Sequence, residues 1–294
     1  MKLMNVELIA NTPNPEEVIE QCGRTCYKSP EKDAETRAKF ITGIVRAGHT
    51  SVIEHATATF RITGVSRSLT HQLVRHRLFS FSQQSQRYVK ETEPNYITPI
   101  SIQEVLAEGS DKKLDPITLA AHKIYDDCMQ NCWRTYQALI ELGIKKEDAR
   151  FVLPNAACTE ICVSGNFREW YNFLSLRLDV HAQWEIRQLA WMILDKLMAI
   201  APNVFIELKN KFMSEVNDNA LMQRTAELVN DTSRKVYTEK ELDSISKNIK
   251  DNTLHDIKEV MLPKEATALG YTSDPYTPIA EFNRVLKSAL EKNP

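Results

Sequence analysis

An α/β fold of the α+β type, a mixed sheet flanked by long helices, is what the sequence predicts, and three observations predict it. Short stretches with strand character at residues 3–10, 56–63 and 158–163 are separated by much longer segments of helical periodicity. The longest of these opens at Asp115-Pro116 and closes before Gly143, and another, Ile186 to Ala201, is dense in Leu, Trp, Met and Ile; both call for burial against a sheet or a partner. The eight glycines form neither Gly-x-Gly-x-x-Gly nor Gly-x-x-x-x-Gly-Lys-Ser/Thr, which disfavours Rossmann and P-loop phosphate cradles.

Each element has a local reason. Leu3 to Ala10 reads as a strand, and Asn14-Pro15-Glu16-Glu17 as a helix start, with an N-cap, a proline in the first turn and acids at the positive end of the dipole. That helix ends near Gly23. Pro30-Glu31 opens a second helix through Phe40, Ile41, Ile44 and Val45, and Gly48 is placed to take a left-handed C-terminal conformation. His49 to His55 is a loop or short turn. Ala56 to Thr63 alternates small or apolar with polar residues, giving a half-exposed strand ending at Gly64. Ser66 caps a helix carrying Leu69, Gln72, Leu73, Val74, Arg75 and His76, on which Gln72 lies beside both Arg75 and His76.

This helix gives out near Phe79, leaving Ser80 to Gln86 as a polar loop before a strand beginning near Tyr88. After the long central helix, Cys158 to Val163 is a strand, 166–186 is mainly helical, and Pro202 ends the helix that runs to Ala201. Further on, a capping box at Thr238-Glu239-Lys240-Glu241 and a last helix opening at Thr277-Pro278 stand in a charged tail. The expected division is a catalytic domain over 1–215 and a charged, mostly helical C-terminal extension over 216–294.

Composition narrows the function. A formal net charge of −2 over 294 residues gives no bulk attraction to nucleic acid or anionic membrane, so neither is an expected partner. No run of about eighteen apolar residues occurs, and Glu7 comes too early for a signal sequence, which points to a soluble cytoplasmic protein. The six cysteines fall as Cys22/Cys26, Cys128/Cys132 and Cys158/Cys162, without a Cys-x-x-Cys knuckle, so core or incidental thiols are expected and no metal.

Within this acidic chain one segment stands apart. Arg61, Arg67, Arg75, Arg77, Arg87 and Lys90 fall in a stretch with no Asp or Glu. Guanidinium forks interleaved with Ser and Gln suit phosphate oxygens. A basic stretch with Phe79, Phe81 and Tyr88 could also stack nucleic-acid bases, but the overall acidity counts against that.

Arg75-His76-Arg77, seven residues, Ser85, one residue and Arg87-Tyr88 together resemble the signature of the flavin-dependent thymidylate synthases, whose fold is the thymidylate synthase-complementing fold. His49 to Glu54-His55, Ala149-Arg150-Phe151-Val152-Leu153-Pro154, and the series Asn166, Arg168, Asn172, Arg177, His181 resemble further segments of that family in the same order. The resemblance implies reductive methylation of dUMP to dTMP in de novo dTMP biosynthesis. It also implies methylenetetrahydrofolate as carbon donor, FAD as cofactor, NADPH as reductant, and a homotetramer with active sites shared between chains. By the same resemblance dUMP is held by Gln72, Arg75, Gln83, Gln84, Ser85, Gln86, Arg87, Arg150 and Arg177. FAD is held by Ser51, Arg75, His76, Arg77, Gln83, Asn166, Arg168, Asn172 and His181.

Arg177 is the expected catalytic residue, since a guanidinium against the N3 and carbonyl edge of uracil favours the ionised, more nucleophilic ring. Ser82 and Gln83 stand where many members have Asn and Glu, so Gln83 keeps hydrogen bonding but not charge. Ser85 has no base nearby in sequence to make it a nucleophile. A flavoprotein acting on another pyrimidine nucleotide is the rival among enzymes. A helical wheel places Arg168 and Asn172 on one face and Arg177 about 140° from Asn172 at 100° per residue, so one small ligand does not easily touch both Asn172 and Arg177 unless the helix breaks or an extended dinucleotide is shared between neighbouring chains, as the resemblance implies.

Overall fold

Ala58, Phe60 and Ile62 alternate with Thr57, Thr59 and Arg61, and this period of two marks a strand with one buried face. In the computed structural model, which describes residues 4–26, 28–30, 32–102 and 116–217, that strand is β2 (Thr57–Ser66). It lies between β1 (Asn5–Asn11) and β4 (Cys158–Asn166), with β3 (Ser80–Gln83) at the edge beyond β4, giving the order β1-β2-β4-β3. The α+β class holds. Every ladder between these strands is antiparallel, where a mixed sheet is the expectation from sequence. The period-two pattern is the same in both directions, so strand polarity is decided by the connections and not by the pattern.

Helices cover the buried face. α1 (Pro15–Thr25) and α2 (Ala34–Arg46) contribute Ile19, Ile41 and Val45 to the core, and α3 (Arg67–Leu73) contributes Leu69 and Leu73. The larger share comes from α6 (Phe167–Arg177), α7 (Trp184–Ile200) and α8 (Pro202–Asn217), with Trp170, Phe173, Ile193 and Phe205 fully enclosed. α4 (Pro116–Glu141) instead seals the segment after β3: buried Trp133 packs on Tyr96, and the Tyr136 hydroxyl accepts from Glu91 N. α5 (Lys146–Ala149) and a 3-10 turn (Arg150–Val152) lead into β4.

Several boundaries differ from the sequence expectation, each for a physical reason. α1 runs past Gly23, because a Cβ there would fall 2.8 Å from the Phe40 ring; the glycine permits close helix approach and does not end the helix. α2 starts after Asp33, whose carboxylate accepts from Thr36 N at 2.9 Å, and not at Pro30. Gly48 does take the left-handed conformation, φ 79°. Gly64, φ 70°, lies where the β2–β4 register shifts, so it sits at a bulge and β2 continues to Ser66.

Ser66 caps α3 as expected, but α3 stops at Leu73 and residues 74–79 continue in tight turns. Ser80 to Gln83 pairs with β4 as an edge strand in place of the expected loop, and the strand expected near Tyr88 is a turn in which Tyr88 N and Val89 N both reach Ser85 O. Residues 178–183 break the long helix expected over 166–186. Pro202 both closes α7 and opens α8, where its missing N–H costs nothing. The capping box at Thr238 and the helix at Thr277 lie outside the described residues. No helix among the described residues is long and apolar enough to cross a membrane.

Candidate functional site

The end of α3 and one side of α6 enclose a cavity of about 260 Å³ lined by Arg75, His76, Arg77, Leu78, Phe79, Glu169, Asn172, Leu176 and Arg177. Sequence order explains the assembly. Ser66 Oγ accepts from Leu69 N at 2.9 Å and starts α3, whose early end turns the Arg75-His76-Arg77 run towards α6. Asn166 starts α6 with a capping box: its side chain accepts from Glu169 N, and Glu169 Oε2 accepts from Asn166 N. Phe79, 6% exposed, locks the two together, with its ring 4.3 Å from that of Trp170 and against Gly165, where a Cβ would lie 2.3 Å from the ring.

Arg177 Nε donates to His76 Nε2 at 3.0 Å, which makes Nε2 an acceptor and the imidazole neutral. Burial, and then the Arg177 charge, hold the His76 pKa down to about 4. Burial and the Arg75 charge likewise lower the Arg177 pKa. Arg75, Arg77 and Arg177 therefore crowd like charge around one cavity whose only carboxylate among the described residues, Glu169, is occupied as a cap. An anion entering it relieves repulsion as well as gaining hydrogen bonds.

A second cluster lies at the other end of α3. Arg87 Nε contacts Glu147 Oε2 at 3.2 Å, and Arg150 Nε donates to Glu147 O at 3.1 Å. Arg67 Nη2 donates to Gln84 O at 2.9 Å, and burial together with the Arg150 charge lowers the Arg67 pKa, while Glu91 opposes this. Ser85 Oγ accepts from Arg87 N at 3.3 Å. Arg67 Nε and Gln86 Nε2 are buried donors with no acceptor among the described residues, and Gln86 is 5% exposed. Cationic forks with orphaned donors are a donor set suited to phosphate. From Arg67 to Leu73, the length of α3, is about 9 Å at 1.5 Å per residue, and the turn that follows carries the chain on to Arg75.

The expected site residues thus divide. Arg75, His76, Arg77, Asn172 and Arg177 share the cavity, and Gln84, Ser85, Gln86, Arg87 and Arg150 gather at the second cluster. The tension between Asn172 and Arg177 eases because the helix breaks: α6 ends at Arg177, whose long side chain reaches round to His76, and both residues line one cavity. Arg168, expected on the face of Asn172, pairs with Glu54 outside that lining. Gln83 Nε2 is turned inward to Thr70 Oγ1 and Thr159 Oγ1, at 3.0 and 3.3 Å, and Gln72 is half-buried on α3. Ser51 is exposed in a 3-10 turn (Thr50–His55), and His181 Nδ1 lies 2.8 Å from Asp179 Oδ1. Neither these two nor Asn166 lines the cavity. Sequence reasoning counted Arg67 in the acid-free, anion-suited stretch but gave it no site role, although its place directly after a capping serine is a signal for one. It missed Glu147, three residues before Arg150.

Comparison with known proteins bears on this arrangement. A family model described as thymidylate synthase complementing protein matches residues 7–203. A flavin-dependent thymidylate synthase of Geobacter sulfurreducens is 41% identical over 212 residues, covering 69% of this chain and 85% of the relative. The chain belongs to the flavin-dependent thymidylate synthase family.

Flavin-dependent thymidylate synthases of Mycobacterium sp. (strain JLS) and of Mycobacterium tuberculosis (strain ATCC 25177 / H37Ra) are 40% and 38% identical over 199 and 203 residues, covering 65% of this chain and 78% of each relative. Both clusters fall inside the stretch that matches the flavin-dependent thymidylate synthase family, and the region beyond 203 lies outside it.

Proposed function

We propose that this chain converts dUMP to dTMP by reductive methylation, using methylenetetrahydrofolate as carbon donor, bound FAD as cofactor and NADPH as reductant. The observation that carries the reading is the cavity in which Arg75, Arg77, Arg177 and a neutral His76 meet, in a chain of this family. The donor set fits a flavin nucleotide: the Arg75 and Arg77 guanidiniums and the Asn172 amide for its phosphates and polar ring edge, and Leu78, Phe79 and Leu176 for its apolar face, with Arg177 left for the substrate. At about 260 Å³ the cavity is below the size of most cofactor sites and takes part of FAD only. The remaining assigned ligands, Ser51, Asn166, Arg168 and His181, belong in this reading to a site completed by another copy in a homotetramer.

When bound, the flavin supplies the electrons that turn a transferred methylene into a methyl group. The chain's own work is positioning and electrostatics. Arg87 and Arg150, with Ser85, Gln86, Gln84, Gln72 and Arg75, hold the nucleotide; Arg67 joins them. Arg177, oriented by His76, faces the N3 and carbonyl edge of uracil and stabilises negative charge on the ring. A neutral His76 keeps that guanidinium aligned without adding a competing cation. No side-chain nucleophile is required, and Ser85 Oγ has an N–H donor beside it where a nucleophilic serine needs a base. The catalytic domain spans 1–215, with 216–294 as an extension, and the enzyme works in the cytoplasm without membrane or nucleic-acid partners.

The test is the visible spectrum of the purified protein. A flavin spectrum that bleaches with NADPH and recovers on adding dUMP with methylenetetrahydrofolate, with dTMP formed, is the expected result. A colourless protein that takes up no added FAD overturns the proposal.

A further inference from the structure

Glu185, on α7, is a buried acid of an unusual kind. It is 2% exposed, and its two oxygens are taken by one residue: Ser66 N donates to Oε1 at 2.7 Å and Ser66 Oγ donates to Oε2 at 2.6 Å. Glu20, the other deeply buried glutamate among the described residues, is matched by Arg24 and Arg37. Glu185 has no such cation among the described residues, and burial pushes its pKa up. A buried carboxylate without a cation costs folding free energy that an apolar side chain in the same seam would not, so packing alone gives no reason for an acid here.

The bonds that radiate from Ser66 supply one. Ser66 is the N-cap of α3, and its hydroxyl accepts from Leu69 N while donating to Glu185. One residue on, Arg67 holds Gln84 O, and Thr70 on the same helix accepts from Gln83 Nε2. The pose of α3 therefore sets where the segment carrying Ser85 to Arg87 lies, and at the other end where Arg75 to Arg77 enter the cavity. An acceptor-only group is needed at 185. Glutamine has one acceptor oxygen and an NH₂, so it would satisfy Ser66 N but leave the Ser66 hydroxyl proton without an acceptor and set a second donor against Leu69 N.

We propose that Glu185 is a positioning residue for the reaction, clamping the N-cap of α3 so that the Arg67–Arg87–Arg150 cluster and the Arg75–Arg177 cavity keep their spacing. The inference rests on reading those two clusters as substrate and flavin sites. A shift of one against the other by about 1 Å is enough to cost one to two orders of magnitude in rate.

The test uses the full-length, FAD-loaded protein and compares Glu185→Gln, Ser66→Ala, the double variant and Ser66→Thr. Glu185→Gln should raise the KM for dUMP and lower kcat per bound flavin, together about tenfold or more in kcat/KM. Ser66→Ala should do the same, the double variant should add little to either single change, and Ser66→Thr, which keeps the hydroxyl, should restore wild-type constants. Variants that melt earlier but keep wild-type KM and kcat per flavin overturn the clamp and make Glu185 merely structural, as do fully additive losses. If Glu185→Gln does not fold, the Ser66→Ala and Ser66→Thr pair decides alone by the same constants. A wild type that binds FAD and dUMP alongside an equally competent Glu185→Gln refutes only the clamp, whereas a wild type that binds neither refutes the functional reading and the clamp together.

Discussion

Replacing His76 by Gln should remove a pH dependence of stability that the cavity imposes on the wild type. The folded pKa is lowered from 6.5 to about 4 by burial and then by Arg177, so between those values the unfolded chain binds a proton that the native state refuses. Stability from this residue is intact above 6.5 and is lost as the pH falls towards about 4. The linkage relation gives about 2 kcal/mol lost at about pH 5 and less than about 0.1 kcal/mol at about pH 7.5. Because the ring is only partly enclosed, solvent screening trims the expected loss to about 1–2 kcal/mol. Glutamine keeps an acceptor for Arg177 Nε, so the local geometry survives the change. Denaturant unfolding of wild type and variant at both pH values measures the double difference, in which the protonation of every other carboxylate and histidine cancels. Parallel stability–pH curves would mean that His76 is an ordinary solvated histidine and would refute the neutral-imidazole account of the cavity.

The other expectations follow from packing and from the two clusters. Gly165→Ala puts a methyl 2.3 Å from the Phe79 ring and 2.7 Å from Glu169 Oε2, and should cost about 1–3 kcal/mol. Calorimetry should register that as a melting point several degrees lower, and an unchanged one would show that Phe79 is not pinned. Arg177→Ala should retain flavin but lower kcat about a hundredfold or more, and near-wild-type turnover removes Arg177 from catalysis. Ser85→Ala should weaken dUMP binding about fivefold by equilibrium titration with turnover preserved; complete loss of chemistry with normal binding would overturn its assignment as a phosphate ligand.

What the chain reveals by itself is whatever depends on neighbours in sequence. Ser66 as an N-cap, Gly48 in the left-handed region, Pro202 at a helix junction and the inward face of Ala58, Phe60 and Ile62 all follow from local sterics, hydrogen bonding and periodicity. The Arg75 to Tyr88 pattern is legible for the same reason, since its residues are close along the chain.

Tertiary structure decided the rest. Ser80 to Gln83 has the composition of a loop and becomes a strand only because β4 offers it an edge, and the uniform antiparallel pairing is invisible to a pattern of period two. Asn172 and Arg177 share a cavity through the reach of a terminal arginine, which a wheel drawn at Cα positions does not measure. Arg67 meets the nucleotide-type cluster, and Glu185 meets Ser66, across 83 and 119 residues that cannot be paired from local sequence; packing brings them together, and burial is what makes each of those contacts consequential.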